Sequence, residues 1–399
     1  MTRILCTGDT QLGVGTVALQ DQTAVLNRIA DEAIAQGCDL VLHGGDVFQG
    51  PTIAPEHLDT FAAFVTRLRN HAIPLVAISG NGSHDAAMRT VNGLAIFDHI
   101  PGVTISSHPE VLHHDGLAIC TLPWVHPGRL IAQAGGGDRH QIHQQAAEHL
   151  IATARDLRAH AGDGPAILLC HWSISGASLP SGLPVEQARE PILDRDQLAQ
   201  LGYQAVVASH IHKAQLVSTG LLVENENGSH VTDPACRIFY TGSPQPLNHG
   251  EAGYPHGVWI LDTGEDSVEF VEVESRRFVT IDIGATEAEE ISDRDADLGF
   301  WPESVPDGAI VRVRYTATQE QARRIDPQRI RQVLADLGAS RVTIEPEIIR
   351  EDRARVHGVD EQLGELQALD LWLTAQGMNG HLADAMRALT ARYLETVVS

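Results

Sequence analysis

Residues 4–11 read I-L-C-T-G-D-T-Q, and residues 40–46 read L-V-L-H-G-G-D. In each, a short apolar run stops at a glycine followed by a carboxylate. Runs of this length and character, bounded by turn residues, predict buried strands over 3–6 and 39–43. The pattern recurs. P-L-V-A-I-S (74–79) leads into G-N-G-S-H-D, A-I-L-L-C (166–170) into His171, and A-V-V-A (205–208) into S-H-I-H. Between the first three strands lie helical patterns. Val25, Leu26, Ile29, Ala33 and Ile34 share one face of a helix over 20–36. A second begins at Pro55, a residue suited to the first turn, and carries Leu58, Phe61, Phe64, Val65 and Leu68 on one face. Another helix is expected over 139–160. Strands alternating with helices predict a layered α/β domain.

In open α/β sheets the ligand crevice lies at the carboxyl ends of the strands. The polar residues that follow the five strands are Asp9, Asp46, Asn81, His171, and the pair His210 and His212. Taken singly, each has an ordinary explanation: a turn cap, an Asn-Gly turn, a core histidine. Taken together they make the ligand set of a pair of divalent cations. Two cations about 3.5–4 Å apart clamp a phosphoryl group and activate water, which needs a bridging carboxylate and neutral donors around it. Mixed nitrogen and oxygen donors without thiolate favour Mn²⁺ first, with Mg²⁺, Fe²⁺ or Zn²⁺ as alternatives, and disfavour Ca²⁺.

The order D-x-(H/Q), GD, GN…HD, H and H-x-H resembles the calcineurin-like metallophosphoesterases. Within them the chain is most similar to the SbcD-type nucleases that process DNA double-strand breaks. D-T-Q-L-G (9–13), S-H-I-H-K (209–213) and F-Y-T-G-S-P-Q-P-L-N-H-G-E (239–251) carry that closer resemblance. It implies a four-layered β-sandwich flanked by helices, a small βαβ cap domain and a helical C-terminal tail. It also assigns roles by position. Asp9, Gln11, Asp46 and His212 surround the first metal. Asp46 bridges to a second that Asn81, His171 and His210 complete. His84 is the catalytic histidine, oriented by Asp85. Three departures stand out: Gln11 replaces a ligating histidine, G-N-G-S-H-D is two residues longer than G-N-H-D, and Ser209 replaces a glycine. The resemblance further implies an SbcC-type ABC ATPase with a coiled coil as partner, DNA as substrate, and a homodimer.

Beyond residue 214 the pattern changes to strands at 214–218, 237–241, 257–262, 268–274 and 278–282. An acidic stretch, 285–297, reads as loop. Residues 309–346 then read strand, helix, strand, with Asp326 as N-cap and Gly338 as helix stop. The remainder, 351–399, reads as helical, with Leu382, Met386, Leu389, Tyr393 and Val397 on one face. The expected domains are therefore 1–280 for catalysis, 281–350 for the cap and 351–399 for a helical segment that docks on a partner or on its own cap. At 399 residues the chain is long enough for several cores.

Five scattered cysteines without a C-x-x-C pair argue for reduced thiols and a cytoplasmic protein. The N-terminus enters a strand directly, without a leader pattern, and no apolar run is long enough to span a membrane. A net charge of −24, with Lys213 as the one lysine, argues against a chain that grips a nucleic-acid backbone unaided. The leading expectation is a metal-dependent DNA nuclease, an exonuclease component of a DNA-repair complex, that hydrolyses phosphodiesters with a metal-activated water. Two alternatives stand beside it: a phosphatase or phosphodiesterase acting on nucleotides or small phosphoesters, and a scaffold protein weakened by Gln11 and the longer loop.

Overall fold

The structure is a computed structural model that describes residues 2–85, 92–125, 138–217, 222–225, 228–231, 236–292, 305–349 and 364–397. It is a mixed α/β protein, and its chain divides into two compact units. One comprises Met1–Ile281, Pro302–Val313 and Gln328–Ile344; the other comprises Asp282–Trp301, Arg314–Pro327 and Glu345–Ser399.

The first unit is built on two six-stranded sheets. One runs in the order Ser267–Glu272, Gly257–Asp262, Arg3–Thr7, Leu40–His43, Leu75–Ile78, Val103–Ser106. Its last four strands are parallel, and the first two are antiparallel additions. The other runs Gln215–Leu216, Arg237–Tyr240, Ala205–Ala208, Ala166–Cys170, Leu117–Leu122, Glu110–His114, with its four inner strands parallel.

Side chains alternate across each strand, and the alternation assigns the layers. Ile4, Cys6, Leu40, Leu42, Val76 and Ile78 face Ile119, Ile167, Leu169, Ala205, Val207 and Phe239 in a core between the sheets. The opposite residues of the first sheet, Leu5, Val41, Leu75 and Ala77, pack with Val25, Leu26, Ile29, Phe61, Phe64 and Leu68. Those residues come from the helices Leu19–Ala35 and Pro55–Asn70. On the far side, Cys120, Leu168, Val206 and Tyr240 pack with Leu150, Ile151, Ala154 and Leu157 of the helix Arg139–His160. The order helix, sheet, sheet, helix is the four-layered sandwich the motifs imply. Both faces of each sheet are buried, which is why the inner strands are continuous apolar runs. Each fully buried Leu or Ile contributes about 1.5–3 kcal/mol of transfer free energy to this arrangement.

Within the two six-stranded sheets three strands escaped the pattern reading: Val103–Ser106, Glu110–His114 and Leu117–Leu122. The last two form a hairpin through Asp115 and Gly116, both at positive φ (46° and 81°), the conformation that an Asp-Gly turn supplies. The acidic segment 285–297 also departs from expectation. Its first part is a helix, Ala285–Ser292, with Glu287 accepting from the Gly284 N–H at 2.6 Å; residues 293–297 lie outside the described residues. A carboxylate in the first turn of a helix stabilises it, so acidity there does not mean loop.

Phe278–Ile283, Ile310–Thr318 and Arg341–Ile349 pair in that order in a three-stranded sheet. The connection after Ile310–Thr318 holds a short helix, Gln319–Arg324, before the expected one at Pro327–Asp336. Gly338 follows that helix at φ 111°. In the second unit, Glu365–Ala375 and His381–Val397 are helices tied by Arg387 to Asp370 at 2.6 Å. Leu382, Leu389 and Tyr393 are 61, 70 and 67% exposed. All five cysteines are buried and free.

Candidate metal centre

The parallel strands of both sheets end at a common edge, and the loops that follow them carry the polar residues. Two of these loops are laced together by backbone. Asp9 N–H donates to Gly45 O (2.9 Å), Gln11 N–H to Asp46 O (3.0 Å) and Leu12 N–H to Val47 O (2.7 Å). The ladder fixes Asp9, Gln11 and Asp46 side by side without using their side chains. Five residues of these loops lie in the left-handed region: φ is 48° at Asp9, 41° at Gln11, 53° at Asp46, 52° at Asp85 and 95° at His210. Such conformations cost on the order of 1–3 kcal/mol each, and cluster where geometry is held for function.

The glycines beside these residues are required by contact. A Cβ on Gly80 would overlap Asp46 Oδ1, and one on Gly45 would stand 2.9 Å from His171 Nδ1. Gly8 and Gly44 both press on the Ser209 hydroxyl, which is buried and shares a 2.6 Å hydrogen bond with Thr241 Oγ1. Ser209 therefore wedges between loops of both sheets, a packing role that its small size alone did not suggest.

Asp46 sits at the middle. Asn81 donates to it twice, from its backbone to Oδ1 (2.8 Å) and from its side-chain amide to Oδ2 (3.0 Å). His171 Nε2 lies 3.5 Å and His84 Nε2 3.7 Å from Oδ2. Burial pushes the Asp46 carboxyl up, but the His171, His84 and His210 rings outweigh it and hold it at about 2. Burial likewise pulls His171 down, and the Asp46 and Asp9 carboxylates overcome it, raising it to about 9. Asp9, by contrast, is raised by its own burial.

A cation fits this cluster. One ligand atom from each of Asp46, His171 and His210 lies within 4.8 Å of the other two. His171 Nδ1 is 2.7 Å from Gly44 O and keeps its proton there, so it is from Nε2 that the ring gives up a proton to expose a lone pair to a cation. That atom and His210 Nδ1 are buried without hydrogen-bond partners, an arrangement that costs free energy unless something occupies them. Asn81 meets Asp46 with its amide hydrogens, while its oxygen accepts from Ser83 N–H (3.0 Å) and Oγ–H (2.6 Å).

On the other side stand Asp9, Gln11 and His212. Both Asp9 oxygens accept from His210 N–H, at 3.2 and 3.0 Å. Gln11 Nε2 is 3.0 Å from His212 Nε2. The structure thus brings all seven expected ligands to one edge of the sandwich, grouped around Asp46 and around His212. His84 also joins them. Asp85 does not reach the His84 ring: its oxygens accept from Phe48 N–H (2.7 Å) and Gly80 N–H (3.1 Å), and His84 Nδ1 has no partner. Asp85 braces the loop, and burial raises its carboxyl to about 7.

Two carboxylates complete the surroundings of the histidine pair. Glu190 lies 3.0 Å from His210 Nε2 through both oxygens and also accepts from Ser173 Oγ. Glu251 Oε1 is 3.0 Å from His212 Nδ1. Partners of this kind fix the tautomer and ring angle of a ligating histidine. Glu251 is the last residue of the Y-T-G-S-P…E segment, so a signal for it existed; Glu190 lies in a turn-rich stretch with no motif. Ser243 supports His212 from behind, its N–H donating to His212 O at 2.9 Å. His43 is buried against Thr10 Oγ1 at 3.2 Å and is held near 3 by desolvation, a neutral brace between strand ends. Trp172 is core, stacked 6.2 Å from Trp124.

Two relatives are similar to this chain over about two thirds of their length. The chain is 25% identical over 289 residues to the SbcD component of nuclease SbcCD from Escherichia coli K12, covering 68% of this chain and 67% of that one. It is 27% identical over 296 residues to the SbcD component of nuclease SbcCD from Rhodobacter capsulatus, covering 65 and 66%. Among solved structures, a dimetal phosphatase from Danio rerio aligns with 65% of this chain and 91% of its own, at 11% identity and a TM-score of 0.37. Residues 2–214, more than half the chain and the whole span from Asp9 to His212, match the model of the calcineurin-like phosphoesterases. The chain belongs to that family, whose members are hydrolases dependent on a pair of metal ions.

Proposed function

We propose that this chain is the nuclease component of an SbcCD-like complex, a metal-dependent hydrolase of DNA phosphodiesters. The observation that carries the reading is the reach of the similarity. It extends over 289 and 296 residues with the SbcD components of two SbcCD nucleases, a greater length than the stretch from Asp9 to His212 that holds the metal-site residues.

In this reading Asp46, Asn81, His171 and His210 hold one divalent cation, and Asp9, Gln11, Asp46 and His212 face the other. Mn²⁺ is the first choice, for its tolerance of mixed nitrogen and oxygen donors. When bound, the ions supply Lewis acidity and an activated water for in-line attack at phosphorus. The residues of the chain do the rest. Asp46 is kept ionised by the rings around it, Glu190 and Glu251 hold the two histidines in register, and His84 stands at Asp46 to donate or stabilise charge at the scissile phosphate. The domains follow as 1–280 for catalysis, 281–350 as cap and 351–399 for docking on an SbcC-type ATPase. The exposed Leu382, Leu389 and Tyr393 support that docking. A homodimer working on DNA in the cytoplasm completes the proposal. Among the described residues no helix is long and apolar enough to cross a membrane.

The acidic balance of the chain favours a second reading, hydrolysis of nucleotides or small phosphoesters, which needs no basic groove. Linear DNA, bis(p-nitrophenyl) phosphate and a nucleotide panel, each tested with Mn²⁺ and with or without the ATPase, separate the two. DNA degradation that rises with the ATPase is expected. DNA left intact while small esters turn over would sink the nuclease reading.

A further inference from the structure

The two halves of the centre differ in what their imidazole nitrogens already hold. Around Asp46, His171 Nε2 and His210 Nδ1 are buried and unpartnered. The carboxylates do not distinguish the halves, since both Asp46 oxygens accept from Asn81 and both Asp9 oxygens from the His210 backbone. The imidazole on the Asp9 side does, because its corresponding atom is taken. The proton of neutral His212 sits on Nδ1, where Glu251 Oε1 accepts it at 3.0 Å, so its lone pair is on Nε2. That lone pair faces Gln11 Nε2 at 3.0 Å. An amide nitrogen carries two hydrogens and no free lone pair, so it donates to His212 and offers nothing to a cation. Gln11 is itself buried, and the backbone ladder to Asp46 fixes it there.

We infer that Gln11 is a hydrogen-bonding plug on the His212 side that makes the chain's metal loading unequal. One divalent cation binds tightly at Asp46, His171 and His210. A second binds only by breaking the Gln11–His212 hydrogen bond. Its affinity is therefore lower by about tenfold or more, the equilibrium equivalent of one lost hydrogen bond and one missing donor. This rests on the metal-dependent reading above but not on DNA as the substrate.

The test counts metal rather than turnover. Full-length chain stripped with chelator is titrated with Mn²⁺ by calorimetry and followed by electron paramagnetic resonance. One tight equivalent with the spectrum of an isolated Mn²⁺ ion is expected, followed by a second equivalent at least about tenfold weaker. In Gln11→His, an imidazole replaces the plug, and two tight equivalents with a spin-coupled spectrum are expected. Two equivalents of equal affinity in the unmodified chain would overturn the inference while leaving the metal-dependent reading intact. So would a folded Gln11→His chain that still takes one. No Mn²⁺ binding at all would remove both together. The unmodified chain decides the matter even if the variant fails to fold.

Discussion

Gly80 and Asp46 are packed so closely that a β-carbon on Gly80 would overlap Asp46 Oδ1 and stand 2.7 Å from Cγ. The glycine is therefore what allows the central carboxylate to occupy its place between Asn81 and His171. Gly80→Ala is expected to keep the sandwich, whose core it does not touch, and to displace the carboxylate. Reaction geometry tolerates little displacement, so metal-dependent hydrolysis is expected to fall by about 100-fold or more. Circular dichroism beside a phosphodiesterase assay checks both halves. Full activity in a folded variant would show that Asp46 does not need its present position.

Glu190 meets His210 through both oxygens. Glu190→Gln preserves the volume but loses the charge and one acceptor. Mn²⁺ affinity of the stripped chain is expected to drop by about 10–100-fold, the usual loss when a carboxylate behind a ligating histidine is altered. Calorimetric titration measures it. An unchanged affinity would mean that Asp9 and the backbone alone orient the ring.

His84 stands 3.7 Å from Asp46 Oδ2, and its other ring nitrogen is buried without a partner. His84→Ala is expected to lower kcat by about 10²–10⁴-fold, the range for loss of a general acid or base. Metal content should stay unchanged. Equal turnover in the variant and the parent would strike His84 from the mechanism; a parallel loss of metal would make it a ligand.

Chelator-treated chain is expected to show its own pH profile. His171 is raised from 6.5 to about 9, so its stabilisation is complete below pH 6.5 and is lost as pH rises through 9. Asp46 is lowered from 3.8 to about 2, so its share is present above pH 3.8 and lost as pH falls through 2. Between about pH 4 and 6.5 the raised Asp85 loses stability and the lowered His43 gains it, in opposition, so the readable change lies above: the metal-free melting temperature should fall from about pH 6.5 to about pH 9. Ligation needs His171 neutral, so metal binding in that range should release a proton. Melting curves with and without Mn²⁺, and calorimetry in buffers of different ionisation enthalpy, check both statements. A metal-free melting temperature that climbs from pH 6.5 to 9 would contradict the first.

The sandwich was legible because its inner strands are buried on both faces and end in abrupt polar punctuation, as at Cys6 to Asp9 and Leu42 to Asp46. The helices over Leu19–Ala35 and Pro55–Asn70 showed as plainly, since each buries one stripe. The Glu110–Leu122 hairpin was less visible: its outer strand is only partly buried and its Asp-Gly turn is two residues in a polar stretch. At the site, the residue types at strand ends announced themselves, but the relations between them did not. Nothing in H-x-H says which carboxylate stands behind each ring, because Glu190 and Glu251 come from segments 20 and 39 residues away from their histidines. Asp85 shows the converse: adjacency to His84 in sequence suggested a partnership, whereas its carboxylate is engaged by the amides of Phe48 and Gly80.

The first sheet is not finished by its first strands. Arg3–Thr7 pairs on one side with Leu40–His43 and on the other with Gly257–Asp262, which the ribosome delivers some 250 residues later. Until then Ile4, Leu5 and Cys6, wholly buried in the finished protein, lie in a strand with half its backbone groups unpaired. A nascent chain therefore carries this sticky seam until Gly257–Asp262 has been made. His210 and His212 emerge only shortly before that seam is closed. The centre and the closed sheet are thus completed almost together, and a truncated product that stops before residue 257 would carry the ligands on a scaffold still open to aggregation.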